Sequence, residues 1–82
     1  MRVKVKFFGT ASAYFGSEPK QMEVPEGAAV GDLLEVIAKQ WGKEAESFLQ
    51  NMTFVVNQSR ADRTTLLSNG DEVLVIFTLG GG

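Results

Sequence analysis

One stretch only, Val30 to Trp41, repeats its apolar residues at helical spacing for several turns. Val30, Leu33, Leu34, Ile37, Ala38 and Trp41 fall at intervals of three and four, which places them on one face of an amphipathic helix. Asp32 suits the positive end of that helix, Lys39 and Lys43 suit the negative end, and Gly42 is a C-terminal cap. Ala28 and Ala29 offer no side-chain oxygen at the start, so the helix lacks an ordinary N-cap. Glu44 to Gln50 has room for one further turn, with Phe48 and Leu49 packed beneath it. That is too short for the second long helix of a ferredoxin-like arrangement. A chain with one such helix must bury its apolar face on a sheet.

The remaining apolar segments supply the strands. Met1 to Phe8 alternates, with Val3, Val5 and Phe7 on one side and Arg2, Lys4 and Lys6 on the other, while Phe8 lies on the charged side. Gly9 to Gly16 reads as a loop with one helical turn whose aromatics, Tyr14 and Phe15, cover an end of the core. Lys20 to Val24 is a short second strand closed by the turn Pro25-Glu26-Gly27. Thr53 to Asn57 is strand-like, Gln58 to Asp62 is polar enough to be the next turn, and Thr64 to Leu67 is a short strand leading to the turn Asn69-Gly70-Asp71. Glu72 to Thr78 is the last strand. The order predicts an α+β chain: a mixed sheet of four to five strands packed on one main helix, with the first and last strands paired centrally. That is the β-grasp arrangement, although periodicity alone does not single it out.

Composition removes most chemistries. The 82 residues contain no cysteine and no histidine, hence no thiol nucleophile, no disulfide, neither of the usual soft metal ligands and not the commonest general base. At this length there is one small domain, expected over residues 1–79 with 80–82 as a flexible tail. A net charge of −2 argues against nucleic acid, and Arg2, Lys4 and Lys6 alone are more often a solvated face than a phosphate stripe. No stretch reaches the ~20 apolar residues of a membrane span, and no signal-type segment precedes the first strand, so a cytoplasmic protein is expected.

The sequence closes on Gly80-Gly81-Gly82. Glycines add no packing and lose the most freedom when ordered, so such a tail serves a partner better than it serves the fold. Without a Cβ it can lie extended in a narrow channel and present a terminal carboxylate there. The plain alternative is a frayed or cloned end.

Taken in order, several segments resemble the ubiquitin-like sulfur carriers of the MoaD/ThiS type. These are Val3-Lys4-Val5-Lys6-Phe7-Phe8 with an aromatic loop to Gly16, Val24-Pro25-Glu26-Gly27 leading to Val30-Gly31-Asp32-Leu33-Leu34, Val55-Val56-Asn57-Gln58, and above all Asn69-Gly70-Asp71-Glu72-Val73 with nine residues after it, ending in diglycine. The likeness spans essentially the whole chain and is greatest to MoaD, the small subunit of molybdopterin synthase. MoaD proteins usually carry a Pro-Pro pair where this chain has Phe77-Thr78. ThiS is generally shorter and lacks the longer loop after the first strand. The tail is also similar to those of archaeal small modifier proteins and the ubiquitin-related modifier.

The resemblance implies a ubiquitin-like fold and a carrier without catalysis of its own. It implies that Gly82 is activated by an adenylating enzyme of the MoeB or ubiquitin-activating type, with ATP used by that enzyme and no cofactor or metal bound here. The adenylate would then become a thiocarboxylate that donates sulfur in a MoaE-like partner, in molybdenum or tungsten cofactor synthesis, or would join a lysine of a target protein. Gly80 and Gly81 would thread the enclosed site. A third possibility is a binding module with an inert tail.

For docking, alternation of Val73, Val75 and Phe77 toward the core sends Leu74 and Ile76 outward, with Phe8 beside them and Leu79 as a tail anchor. These would form an apolar interface; the alternatives are that a second layer or a dimer covers them, or that the register is opposite. Trp41 reads as a core anchor, Asp71 and Glu72 as turn and strand-start residues, and Arg60, Asp62 and Arg63 as a solvated loop.

Overall fold

A computed structural model of the chain describes residues 1–42, 44–45, 49 and 51–77. The elements are β1 (Arg2–Gly9), α1 (Thr10–Phe15), β2 (Lys20–Glu23), α2 (Val30–Trp41), β3 (Thr53–Val56), β4 (Ser59–Ala61) and β5 (Glu72–Phe77). They form one five-stranded mixed sheet in the order β2-β1-β5-β3-β4, with α2 in the connection between β2 and β3. β1 and β5 run parallel, and the other neighbours are antiparallel. The first and last strands are therefore central neighbours, and β5 occupies the middle of the sheet. This is the β-grasp, ubiquitin-like fold.

The period-two patterns decide which face is buried. Val3, Val5 and Phe7 of β1, Met22 of β2, Phe54 and Val56 of β3, and Val73 and Val75 of β5 are all buried. They share one apolar cluster with Val30, Leu33, Leu34 and Ile37 of α2. At one end the rings of Phe7 and Phe15 stack at 4.5 Å, and Trp41 meets Phe15 edge-on at 5.3 Å. Trp41 thus closes the end of the core while staying partly exposed. Ala45 and Leu49 are buried beyond α2, whereas Phe48 lies outside the described residues.

How α2 starts without an N-cap side chain is answered from elsewhere in the chain. The first N–H groups of a helix have no intrahelical acceptor. Here Val30 N–H donates to the Thr65 carbonyl and Gly31 N–H to the Arg63 carbonyl, each at 2.9 Å. Ala29 N–H donates to Asp32 Oδ2 at 2.8 Å, which is the reciprocal half of a capping box. Residues 62–67 thus do the work of a cap. Gly31 permits their approach, since a Cβ there would stand 3.3 Å from the Arg63 oxygen. At the other end Gly42 adopts a φ of 96° and donates its N–H to the Ala38 carbonyl at 2.7 Å.

This arrangement corrects the expected short strand. Thr64 to Leu67 is not a strand of the sheet; it holds one isolated bridge, Leu66 to Ala29. The extra strand is β4, in the stretch expected to be a turn. The turn itself is only Asn57-Gln58, with φ of 48° and 73°, and Val56 pairs directly with Ser59 across it. Two residues at positive φ suit the twist of a tight hairpin, and asparagine tolerates that region. Asn57 is also tied to β5: its Nδ2 donates to Asp71 Oδ1 at 2.8 Å and its Oδ1 accepts the Glu72 N–H at 3.0 Å. The polarity of Ser59 and Arg60 reflects an edge strand facing water.

Candidate functional site

The register of the sheet defines its outer face, because residues directly opposite in a pair point the same way. Lys6 lies opposite Leu74, and Phe8 opposite Ile76, across the β1–β5 ladder. Across β5–β3, Leu74 faces Val55 and Ile76 faces Thr53, and Val55 in turn faces Arg60 on β4. Phe8, Ile76, Leu74 and Val55 thereby form one apolar patch on the side away from α2. Phe8 is 44% exposed, and Leu74, Ile76 and Val55 are half-buried, whereas the adjacent Val73 and Val75 are fully buried. The patch lies toward the end at which β5 finishes, and the chain continues from there into the glycine-rich segment.

Three of the docking residues expected from the sequence, Phe8, Leu74 and Ile76, are thus brought together on one face. Leu79, Gly80, Gly81 and Gly82 lie outside the described residues. Sequence reasoning missed Val55, Thr53 and Arg60. Phe54, Val55 and Val56 form an apolar run without visible alternation, and Arg60 was expected in a loop. The available signal was the tight spacing from Val56 to Ser59, which makes a hairpin and aligns Arg60 with Val55.

Charged groups surround the patch. Arg2 Nε is 3.1 Å from Glu23 Oε1, and Lys4 Nζ is 4.0 Å from Glu72 Oε2, all on the outer face. The loop that caps α2 is ordered by Asp62, whose Oδ1 accepts hydrogen bonds from the Thr64 amide and hydroxyl. The hydroxyl and amide of Thr64 hold that carboxyl below its ordinary value. Among the described residues no group of three or more His, Cys, Asp or Glu could hold a metal ion. None of the described helices is long and apolar enough to cross a membrane. The outer face therefore presents Phe8, Leu74, Ile76 and Val55 as one apolar patch with the paired charges of Arg2–Glu23 and Lys4–Glu72 on the same side.

The sequence profile of the ThiS family matches residues 5–82. The chain belongs to the ThiS family. It is of the MoaD/ThiS-type ubiquitin-like sulfur carriers. A full-length relative, the molybdopterin synthase sulfur carrier subunit of Mycobacterium tuberculosis, is 30% identical over 83 residues, covering 100% of this chain and 99% of the relative. Among solved structures, SAMP1 from Haloferax volcanii superposes with a TM-score of 0.83 at 22% identity, with 100% of both chains covered. A chain of the complex of subunits 1 and 2 of the molybdopterin-converting factor from Helicobacter pylori superposes with a TM-score of 0.67 at 22% identity, again over 100% of both. These two share the fold. The Mycobacterium tuberculosis relative is by its name a sulfur carrier subunit, and the Helicobacter pylori chain belongs to a two-subunit complex.

Proposed function

We propose that this protein carries sulfur as a thiocarboxylate at Gly82 and delivers it during molybdopterin synthesis. The observation that carries the reading is the full-length match to a sulfur carrier subunit by a chain whose central strand is followed in sequence by Thr78-Leu79-Gly80-Gly81-Gly82. A carboxylate is anionic and resonance-stabilised, so it reacts only after activation. In an adenylating partner the Gly82 carboxylate attacks the α-phosphorus of ATP and expels pyrophosphate, leaving an acyl-adenylate. Hydrosulfide displaces AMP outright, or the outer sulfur of a persulfide displaces it to give an acyl disulfide, whose S–S bond a thiol then cleaves to leave the thiocarboxylate and a disulfide. The thiocarboxylate gives its sulfur to a precursor held by a MoaE-like subunit, and water restores the carboxylate. Gly80 and Gly81 leave the extended backbone free of Cβ atoms where the channel is narrow. Phe8, Leu74 and Ile76 dock on the partner, and Leu79 anchors the root of the tail.

A second reading follows from the same adenylate: attack by a lysine amine would give an isopeptide, as in a protein modifier. The diglycine end supports this reading as well. The two are separated by intact mass after incubation with ATP, a sulfur source and the host's adenylating enzyme, beside a variant lacking Gly81 and Gly82. Exchange of one oxygen for sulfur, absent in the truncation, is expected for the carrier. Lysine-linked adducts without that exchange would replace it with the modifier, and neither product from a competent enzyme would refute both.

A further inference from the structure

The cations of the outer face are not equivalent. Arg2 is engaged by Glu23 and Lys4 by Glu72, whereas Lys6 and Arg60 form no ion pair among the described residues. These two stand in a single register row, with Lys6 opposite Leu74, Leu74 opposite Val55 and Val55 opposite Arg60. The row reads cation, apolar, apolar, cation across three strand spacings, or roughly 14 Å. Phe8 and Ile76 extend its apolar centre toward the root of the tail. The face holds Arg2, Lys4, Lys6 and Arg60 against Glu23 and Glu72, in a chain whose net charge is −2. Positive charge is therefore gathered on the docking side of an otherwise acidic molecule.

We propose that the adenylating enzyme meets this face with an acidic rim, placing carboxylates against Lys6 and Arg60 on either side of an apolar contact over Leu74 and Val55. The proposal rests on the docking reading above. The occupant is the adenylating enzyme because, in both readings proposed above, the chemistry of Gly82 begins there. A second copy of this chain fits poorly, since an isologous contact would set a net-positive face against itself. The two cations fix the rotation of the carrier on its partner, and hence the direction in which the tail points, while the acidic remainder of the surface is repelled from the same rim. Complementary charges of this kind act chiefly on encounter rate and on choice of partner.

The test is ATP–pyrophosphate exchange by the host's adenylating enzyme with the full chain as substrate. Lys6→Glu/Arg60→Glu is compared with wild type and with Lys20→Glu/Lys39→Glu, which changes net charge equally away from the outer face. Expected are a KM about tenfold higher with kcat retained, a control close to wild type, and a wild-type kcat/KM that falls with added NaCl where that of the double variant does not. Lys6→Gln/Arg60→Gln, with folding checked by circular dichroism, should show a smaller rise in the same direction. A KM within twofold of wild type for Lys6→Glu/Arg60→Glu, or an equal rise in the control, would overturn the acidic rim while leaving activation intact. Absence of exchange with folded wild type would instead remove the activation reading and the rim with it.

Discussion

Neighbouring residues of one strand should separate stability from binding. Val75 is 0% exposed at the centre of the core, while Leu74 is half-buried on the outer face. Val75→Ala removes two methyl groups, about 0.8 kcal/mol each in transfer, and leaves a small void, so a loss of about 2 kcal/mol is expected. For a domain of this size each kcal/mol lowers Tm by about 4–8 °C, giving a drop of about 8–16 °C. Leu74→Ala removes three carbons from a site already partly in water, so about half of the transfer value, near 1 kcal/mol, is at stake. Its larger effect should fall on the adenylating enzyme, because the few truncations that cost much binding cluster at the centre of an interface, and a cost of about 1.4 kcal/mol there raises KM about tenfold. The assays are thermal melts by circular dichroism and pyrophosphate exchange at 20 °C, where both variants are folded. The face assignment would be refuted if Leu74→Ala melted as low as Val75→Ala and exchanged with an unchanged KM.

Three other outcomes follow from local geometry. Asp32→Ala removes the acceptor of the Ala29 N–H and a favourable charge at the helix start, so urea denaturation should register a loss of about 1 kcal/mol. Gly70 sits at a φ of 87°, where a side chain costs about 1–2 kcal/mol, so Gly70→Ala should lower Tm by several degrees. Asp62 has a folded-state pKa held below its unfolded value, so its contribution is present above the unfolded pKa and is lost as pH falls through the folded one. Asp62→Asn should therefore be less stable than wild type at neutral pH and lose less on acidification below about pH 4, as read from chemical denaturation at stepped pH.

The fold was legible where periodicity and burial agree. Val3, Val5 and Phe7 alternate because one side of β1 meets α2 and the other meets water, and the single helical stripe of Val30 to Trp41 left little choice but to lie on that sheet. The hairpin at Asn57-Gln58 was not legible. Its positive φ values go with hydrogen bonds that Asn57 donates to Asp71 and accepts from the Glu72 N–H, residues distant in sequence. For the same reason the start of α2 looked uncapped, since its acceptors are backbone carbonyls of Arg63 and Thr65 that no side-chain pattern announces. Of the candidate site, Phe8, Leu74 and Ile76 could be read from strand alternation. Val55 and Arg60 required knowing which strands are neighbours.

The placement of β5 has a mechanical consequence. It is hydrogen-bonded on both sides, to β1 in parallel and to β3 in antiparallel, and its last residues run on to the glycines. Tension applied along the tail would load both ladders in shear, so that many hydrogen bonds resist together instead of parting one after another as in a zipper. A partner could grip and draw the end of the chain into its own interior with the domain behind it holding its shape as a rigid handle.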